Sequence, residues 1–331
     1  MEVGKSLPRE ADVRASFVQS PAPTVDWSDV ARVTIDILPD VALLKIFDFH
    51  LQDPNCPEAW HTLVHICRNW RSIVFASPRR LGLRLLCKDS SQIKMLDVWP
   101  PFPIAISIRD YTTWGVDDIF AALEHKDRIY RLGLFDLPSS LMEPFLEAMQ
   151  QPFPALTQLH LKFYDHETTG IDPASFLGGS APHLQILSLN YFPFPGLLPK
   201  LLLSTAHLVQ LVLRNILQPG FISPDEMVTC LSMLTGLKTV TITFKSPPLR
   251  SELNRCPLPQ TRTPLPVLTK LQFEGVAEYL EYLVAQIDAP LLDRLEILFL
   301  HYRPDNSKIP QFTEFIRRTP NVEATVKSVS S

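Results

Sequence analysis

Two histidines and two cysteines near residue 60 are the side chains whose types and spacing best suit chemistry, here zinc binding. His61 and His65 stand four residues apart on a predicted helix, with Cys56 and Cys67 nearby. Imidazole and thiolate groups are the ligands that zinc prefers in proteins. However, Cys67 is offset by two residues from His65 and points to another helix face, and Cys56 lies between two prolines. We therefore interpret the group as partly exposed histidines beside a buried cysteine, and we expect no metal site and no cofactor.

Known catalytic motifs are absent from the sequence. It contains no Gly-x-Ser-x-Gly elbow, no P-loop, no dinucleotide-binding fingerprint and no His-Glu-x-x-His. Asp117 and Asp118 begin a predicted helix, where their negative charge complements the helix dipole, so we interpret them as structural. We expect no catalytic residue and no enzymatic activity. A remote alternative is an α/β hydrolase-like enzyme with a helical N-terminal cap.

The composition indicates a folded protein without a strong electric field. Of 331 residues, 46% are hydrophobic and 20% are charged, and the formal net charge is -4. These values allow a substantial core, and they give no reason to expect a nucleic-acid or membrane partner.

Cysteine usage and the start of the chain predict a reducing compartment. Five scattered cysteines do not form a disulfide framework, and no Asn-x-Ser/Thr site occurs. Residues 1–10 lack the apolar core of a secretory signal, and no apolar run approaches the roughly 18 residues of a membrane span. We therefore expect the protein in the cytoplasm, the nucleus or both.

The first periodic apolar pattern lies after a polar, proline-containing stretch, residues 1–34, which we predict to be flexible. Apolar residues at three- and four-residue steps predict a helix over 38–51. The prolines within 53–57 end that helix, and a second helix is predicted over 58–77, before Pro78. Because two short helices form too small a core to fold alone, this unit needs a neighbour.

These two helices carry residues that resemble a known family. Leu38-Pro39-Asp40 opens the first helix, Leu43 and Ile46-Phe47 follow, and residues 64–71 form the matching part of the second. They are similar to the F-box of the large fungal, basidiomycete-type F-box families, and the resemblance continues to about residue 108. It assigns residues 35–80 to an F-box.

The resemblance implies partners: a SKP-type adaptor and, through it, a cullin. The residues that it assigns to adaptor binding are Leu38, Pro39, Leu43, Ile46, Phe47, Leu63, Val64, Cys67 and Trp70. Val41 and Ala42 depart from the family, which often has an acidic residue and then Leu at these positions. That departure fits the alternative of a repeat scaffold with a vestigial F-box that never joins a ligase.

A phrase apolar-x-x-apolar-x-apolar recurs seven times downstream. It begins at Ile129, Leu156, Leu184, Leu208, Leu237, Leu268 and Leu292. Successive starts differ by 24 to 31 residues, mostly near the range of leucine-rich repeats. The longest interval contains a proline-rich insert, residues 246–266.

Helical patterns lie between these phrases. Ser223 and Glu226 form a predicted capping box, Ser140 and Glu143 form another, and residues 277–287 predict a third helix. Strands alternating with helices favour an α/β fold. We predict that residues 81–325 form an irregular leucine-rich-repeat-like solenoid, with parallel strands on a concave face and helices outside.

The side chains beside the buried leucines would line the concave face of such a sheet. Our candidate substrate-binding residues are His160, Lys162, Asn190, Arg214, Thr241, Glu274 and Glu296. This stripe passes from basic to acidic, so a mixed-charge peptide or protein is a conceivable ligand. The alternative is an ordinary solvated face.

The expected function is that of a substrate-recognition subunit of a SKP-cullin-F-box ubiquitin ligase. The F-box would bind the adaptor, and the repeat domain would hold a protein substrate near the ubiquitin-carrying enzyme. Such a subunit acts by raising effective concentration. The sequence does not name the substrate.

Overall fold

A computed structural model describes residues 35–52, 59–109, 114–163, 175–192, 196–217, 220–245, 261–300 and 309–328. The predicted flexible segment 1–34, Cys56 and most of the proline-rich insert lie outside the described residues. The helices are α1 (Asp40–Leu51), α2 (Trp60–Ile66), α3 (Arg68–Ala76), α4 (Ser90–Ile93), α5 (Val116–Glu124), α6 (Ser139–Ala148), α7 (Leu197–Leu203), α8 (Pro224–Ser232), α9 (Ala277–Gln286) and α10 (Pro310–Arg317). The strands are β1 (Leu85–Cys87), β2 (Ile104–Ile108), β3 (Ile129–Leu137), β4 (Gln158–Phe163), β5 (Ile186–Asn190), β6 (Gln210–Ile216), β7 (Thr239–Phe244), β8 (Thr263–Pro264), β9 (Lys270–Gly275), β10 (Ile287–Asp288), β11 (Arg294–Phe299) and β12 (Glu323–Ser328).

Ten of these strands form one parallel sheet whose spatial order follows the chain. The order is β1-β2-β3-β4-β5-β6-β7-β9-β11-β12, and the two-residue strands β8 and β10 pair separately. Every strand pairs in parallel with the sheet strands that come just before and after it in sequence. The predicted α/β arrangement of parallel strands and helices is confirmed.

The repeated phrase explains this order, because its apolar residues align across the sheet. Two rows of them run from β3 to β11, and every member is at most 3% exposed. The first row is Leu132, Leu159, Leu187, Leu211, Val240, Leu271 and Leu295. The second row is Leu134, Leu161, Leu189, Leu213, Ile242, Phe273 and Ile297. Burial of each of these side chains stabilises the fold by roughly 1.5–3 kcal/mol. A slip of one residue would expose a whole set, so the buried rows fix the strand register. All seven predicted strands are confirmed.

Three sheet strands were not predicted, and they extend the sheet at both ends. β1 and β2 precede the first phrase, and β12 follows the last one. Their sequences lack the phrase, since β1 has three residues and β12 is largely polar.

Two of the predicted helix starts are confirmed and one is wrong. Ser223 and Glu226 form the capping box of α8, and α9 lies where the third helix was predicted. The predicted cap at Ser140 is wrong, because α6 begins at Ser139 and has Pro138 in the N-cap position without a side-chain cap. Pro138, whose φ of -61° suits a helix entry, thus sets the start of α6 two residues earlier than predicted.

The prediction of a single helix over 58–77 is also wrong, because the helix is interrupted at Cys67. There the backbone is extended, with φ -154° and ψ 169°, and separates α2 from α3. The Cys67 sulfur accepts a hydrogen bond from the Trp70 amide at 3.4 Å, and Arg71 Nε donates to the Val64 carbonyl at 2.8 Å. These bonds satisfy backbone groups that a helix break exposes.

Helices α2 and α3 cover the first end of the sheet through an aromatic cluster. The cluster consists of Trp60, Phe75, Trp99 and Phe102, whose neighbouring ring centroids lie 5.3 to 6.3 Å apart. Trp60 Nε1 also donates to the Arg84 carbonyl at 3.0 Å, just before β1. One core therefore runs from α1 to α10 without interruption between the helical unit and the sheet.

Candidate functional site

Helix α1 presents apolar residues to two opposite sides. Leu43 and Phe47 are fully buried against the rest of the chain. On the outward side of the helix, and in the two residues just before Pro39, lie the residues that we call the α1 surface: Ile37 at 66% exposure, Leu38 at 38%, Val41 at 60%, Ile46 at 44% and Phe49 at 81%. A helix that needs only one apolar face to join its own core has the other available for a partner.

The structure divides the nine residues predicted to bind an adaptor. Leu38, Pro39 and Ile46 are exposed. The buried members are Leu43, Phe47, Leu63, Val64 and Trp70. Cys67 is half-buried in its capping position.

The buried members hold the helical unit together. The rings of Phe47 and Trp70, for example, pack with centroids 4.7 Å apart. Their contact with an adaptor stays a prediction, whereas their contact with each other is part of the fold.

Five exposed apolar residues in the described part of this unit were not predicted as site residues: Ile35, Ile37, Val41, Phe49 and Ile66. Val41 and Phe49 lie on the α1 face opposite the buried Leu43 and Phe47, but the sequence contained no clear signal of this because apolar residues surround α1.

All seven predicted substrate-binding residues lie on the sheet face that points away from the buried rows, which we call the open face. One row contains His160, Thr241 and Glu296, and the neighbouring row contains Lys162, Asn190 and Arg214 next to one another. Glu274 lies further along this second row, which has a bulge after Leu213. Thr241, at 3% exposure, belongs to the floor of the face and is the member least able to touch a ligand.

Asn190 is held by a polar network at the end of its strand. Asn215 Nδ2 donates to Asn190 Oδ1 at 2.8 Å, and the Asn215 amide donates to Thr243 Oγ1 at 2.9 Å. Asn215 has a φ of 51°, in the left-handed region that Asn tolerates better than most residues. The amide of Asn190 is therefore fixed in orientation before any ligand arrives.

His160 occupies a basic part of the open face. Gly133 lies beside it on β3 and Ser188 beside it on β5. Burial, and then the positive charge of Arg131, lower the pKa of His160 below its ordinary value. Lys162 forms an ion pair with Asp136 at 2.5 Å on the same side.

A second feature of the open face is a cavity of about 520 Å³ across the last three strands. Its charged and polar lining consists of Gln272, Glu274, Arg294, Glu296, Glu323, Thr325 and Lys327. The cavity combines the predicted Glu274 and Glu296 with residues of β12, a strand that the sequence pattern did not reveal. Lys270, at 2.9 Å from Glu296, adds another ion pair beside it.

The histidine and cysteine residues considered for zinc do not converge in the described part of the chain. His61 stacks on Trp99 with ring centroids 5.4 Å apart, while His65 is exposed. Among the described residues no group of three or more His, Cys, Asp or Glu side chains is arranged to hold a metal ion. Likewise, no described helix has both the length and the apolar character needed to cross a membrane.

Comparison with known proteins gives a distant structural likeness. No protein-family model matches the chain, and no curated protein matches it. Among solved structures, the leucine-rich repeat-containing protein LegL7 from Legionella pneumophila is similar, with 17% identity and a TM-score of 0.34. The match covers 70% of this chain and 76% of that one. The fold is established by the strand pairing within this chain.

Proposed function

We propose that this chain is the substrate-recognition subunit of a SKP-cullin-F-box ubiquitin ligase. Helices α1 to α3 act as an F-box that binds a SKP-type adaptor, and the stacked sheet acts as a leucine-rich-repeat-like domain that binds a protein substrate. The observation that carries the proposal is the α1 surface, an exposed apolar face on a helix whose other face joins the core.

The α1 surface suits a protein partner because of its size and its support. Phe49, Ile37 and Val41 each expose more than half of their side chains, which is unfavourable in water. The helix beneath them is fixed by Leu43 and Phe47, so a partner would meet a surface that is already ordered. Preorganisation of this kind lowers the entropy cost of binding.

The connection between helices and sheet suits a receptor. Because Trp60 packs on Phe102 and bonds to the Arg84 carbonyl, the helical unit and the first strands share one core. A substrate on the open face would thus be held at a fixed distance from the adaptor. In this proposal the chain carries out no bond chemistry and instead raises the effective concentration of substrate near the ligase.

The test is binding of the full chain to a purified SKP-type adaptor by isothermal titration calorimetry. We expect Leu38→Ala with Ile46→Ala to weaken binding by about 30-fold or more, since truncation of buried interface anchors costs roughly 2 kcal/mol. Both residues are exposed in the free chain, so the variant should unfold at the same temperature as wild type.

A matched control is Leu203→Ala with Leu291→Ala, which removes two comparably exposed leucines from other parts of the surface. This variant should bind the adaptor like wild type. Failure of the wild-type chain to bind would reject the ligase assignment and favour the repeat scaffold with a vestigial F-box, in keeping with Val41 and Ala42.

A further inference from the structure

The charges on the open face are distributed unequally along the sheet. Across β2 to β6 and the residues that end these strands, the described open-face cations are Arg109, Arg131, Lys162 and Arg214. The described acidic residue there is Asp136, which pairs with Lys162 at 2.5 Å. This half of the described face therefore carries an excess of positive charge.

The other half is balanced. On β9, β11 and β12 the described open-face cations are Lys270, Arg294 and Lys327, and the anions are Glu274, Glu296 and Glu323. Opposite charges alternate there, as in the pair of Lys270 and Glu296 at 2.9 Å. A ligand of either sign gains little from such a surface, whereas an anion gains from the first half.

The basic half also contains an aromatic side chain beside a cation. The Phe135 ring packs over Gly133, next to His160, since a Cβ at Gly133 would be 3.0 Å from that ring. The Arg109 guanidinium stands 4.9 Å from the centre of the same ring. The surface thus presents the Phe135 ring beside the Arg109 guanidinium group.

The spacing of the cations sets the size of the ligand. Arg131 lies on β3 and Arg214 on β6, three strand spacings apart, which corresponds to about 14 Å across the sheet at about 4.8 Å a strand. The strand register also places Arg214 four residues, or about 13 Å, further along the strand direction, so the two positions are about 19 Å apart. An extended peptide spans that distance with about six residues. Two or more acidic side chains at this spacing would meet both guanidinium groups.

We propose that the open face of β2 to β6 binds an extended, carboxylate-rich segment of a protein substrate, with Arg131 and Arg214 as the main charge contacts. This inference rests on the proposed use of the open face for substrate binding, and it names the class of segment that is bound. Lys162, already paired with Asp136, contributes less than the two arginines. Phe135 and Arg109 supply a contact for one side chain of the segment.

The experiment uses the full chain and a fluorescein-labelled peptide of about twelve alternating Glu and Ser residues, about twice the span between the two arginines. Fluorescence anisotropy gives the affinity, and the matched peptide has Gln in place of each Glu. We expect tighter binding of the Glu peptide. The preference should shrink as sodium chloride rises from about 50 to about 300 mM, because salt screens exposed charges.

Variants locate the site. Arg131→Gln with Arg214→Gln should weaken binding of the Glu peptide about tenfold, as expected for the loss of two exposed charge contacts. The matched control, Arg294→Gln with Lys327→Gln, removes two cations from the balanced half and should stay within about twofold of wild type. Equal binding of both peptides, no binding of the Glu peptide, or equal losses in the two variants would overturn the inference.

His160 provides a second readout at the site itself. It faces Arg131 on β3, the Lys162 and Asp136 pair on its own side, and the uncharged Ser188 on β5. A bound carboxylate offsets the charge of Arg131, so the pKa of His160 measured by NMR should rise on addition of the Glu peptide. Binding without this rise would place the peptide elsewhere and reject the inference.

Adaptor binding, measured on the same preparations, separates the two proposals. Variants on the open face leave the α1 surface intact and should bind the adaptor normally. Absence of the peptide preference in the wild-type chain, with normal adaptor binding, rejects the acidic-segment inference alone, whereas absence of adaptor binding in the wild-type chain rejects the ligase assignment.

Discussion

The two ends of the sheet are shielded from solvent in different ways. At the first end, Trp60, Phe75 and Phe102 form an aromatic contact between the helical unit and the strands. At the last end, β12 is an edge strand on which Val326 is half-buried and its neighbours from 323 to 327 are exposed. A stack of repeats must shield its apolar core at both ends, and polar edge strands also discourage unwanted pairing.

Helix α10, which precedes β12, is held by a polar contact in addition to its apolar face. Glu281 on α9 accepts hydrogen bonds from the amides of Gln311 at 3.0 Å and Phe312 at 2.8 Å, in the first turn of α10. A carboxylate at a helix start satisfies amides that have no partner within the helix. The comparison teaches that the first end depends on aromatic packing and the last end partly on hydrogen bonds to a carboxyl group.

The largest expected effect comes from breaking the aromatic end. Trp60→Ala should lower the free energy of unfolding by about 3–5 kcal/mol, because it leaves a cavity among Phe75, Trp99 and Phe102. Chemical denaturation followed by circular dichroism measures this loss. Phe49→Ala, at an 81% exposed position, is the control and should change stability by less than about 0.5 kcal/mol. A loss below about 1 kcal/mol for Trp60→Ala would show that the cluster does not fix this end.

A smaller effect is expected from the last end. Val326→Ala removes two methyl groups from a half-buried position on the edge strand, so the free energy of unfolding should fall by less than about 1 kcal/mol. The same denaturation experiment measures it. If Val326→Ala lowered the free energy of unfolding as much as Trp60→Ala, both ends of the sheet would depend equally on apolar packing. That result would contradict the difference between the two ends.

The smallest effect is a pH dependence confined to the last end. Burial raises the pKa of Glu281 above its ordinary value, and the amides of Phe312 and Gln311 only partly oppose this. Because the folded pKa is the higher one, folding takes up a proton in the window between the unfolded and folded values. Stability should therefore fall as pH rises through that window and be greatest below it.

Hydrogen exchange of the α10 and β12 amides, measured across the acidic range, tests this dependence. After correction for intrinsic exchange rates, protection should decrease as pH rises from the unfolded to the folded pKa of Glu281. Glu281→Gln should flatten the dependence, because the amide side chain does not titrate. An unchanged pH profile in this variant would assign the effect to another group.

Much of the sheet could be predicted from the sequence because the buried rows repeat. Leu159 and Leu161 recur one coil later as Leu187 and Leu189, and such alternation with a period near 27 residues is typical of stacked repeats. The strands β1 and β12 carry no such signal, since one is three residues long and the other is mostly polar. Their pairing depends on a neighbouring strand as a template, which the sequence of the strand itself does not reveal.

The candidate surfaces were predicted less completely, for two physical reasons. In the helical unit, apolar residues surround α1, so periodicity alone does not distinguish the buried Phe47 from the exposed Phe49. The break at Cys67 was hidden because the apolar period continues across it in Trp70 and Ile73. On the open face, alternation correctly gave the side on which Thr241 lies, but its burial depends on neighbouring strands.

The serial order of the strands also has a metric consequence. The ten sheet strands in the described part of the chain, spaced about 4.8 Å apart, place β12 about 43 Å along the sheet from β1. The distance from α1 to a molecule bound over a given strand thus changes in steps of one strand spacing. Gain or loss of one repeat in a related sequence would shift every later contact by one strand spacing. The chemistry of the α1 surface and of the open face would stay unchanged. Geometry and affinity can therefore evolve separately in this architecture.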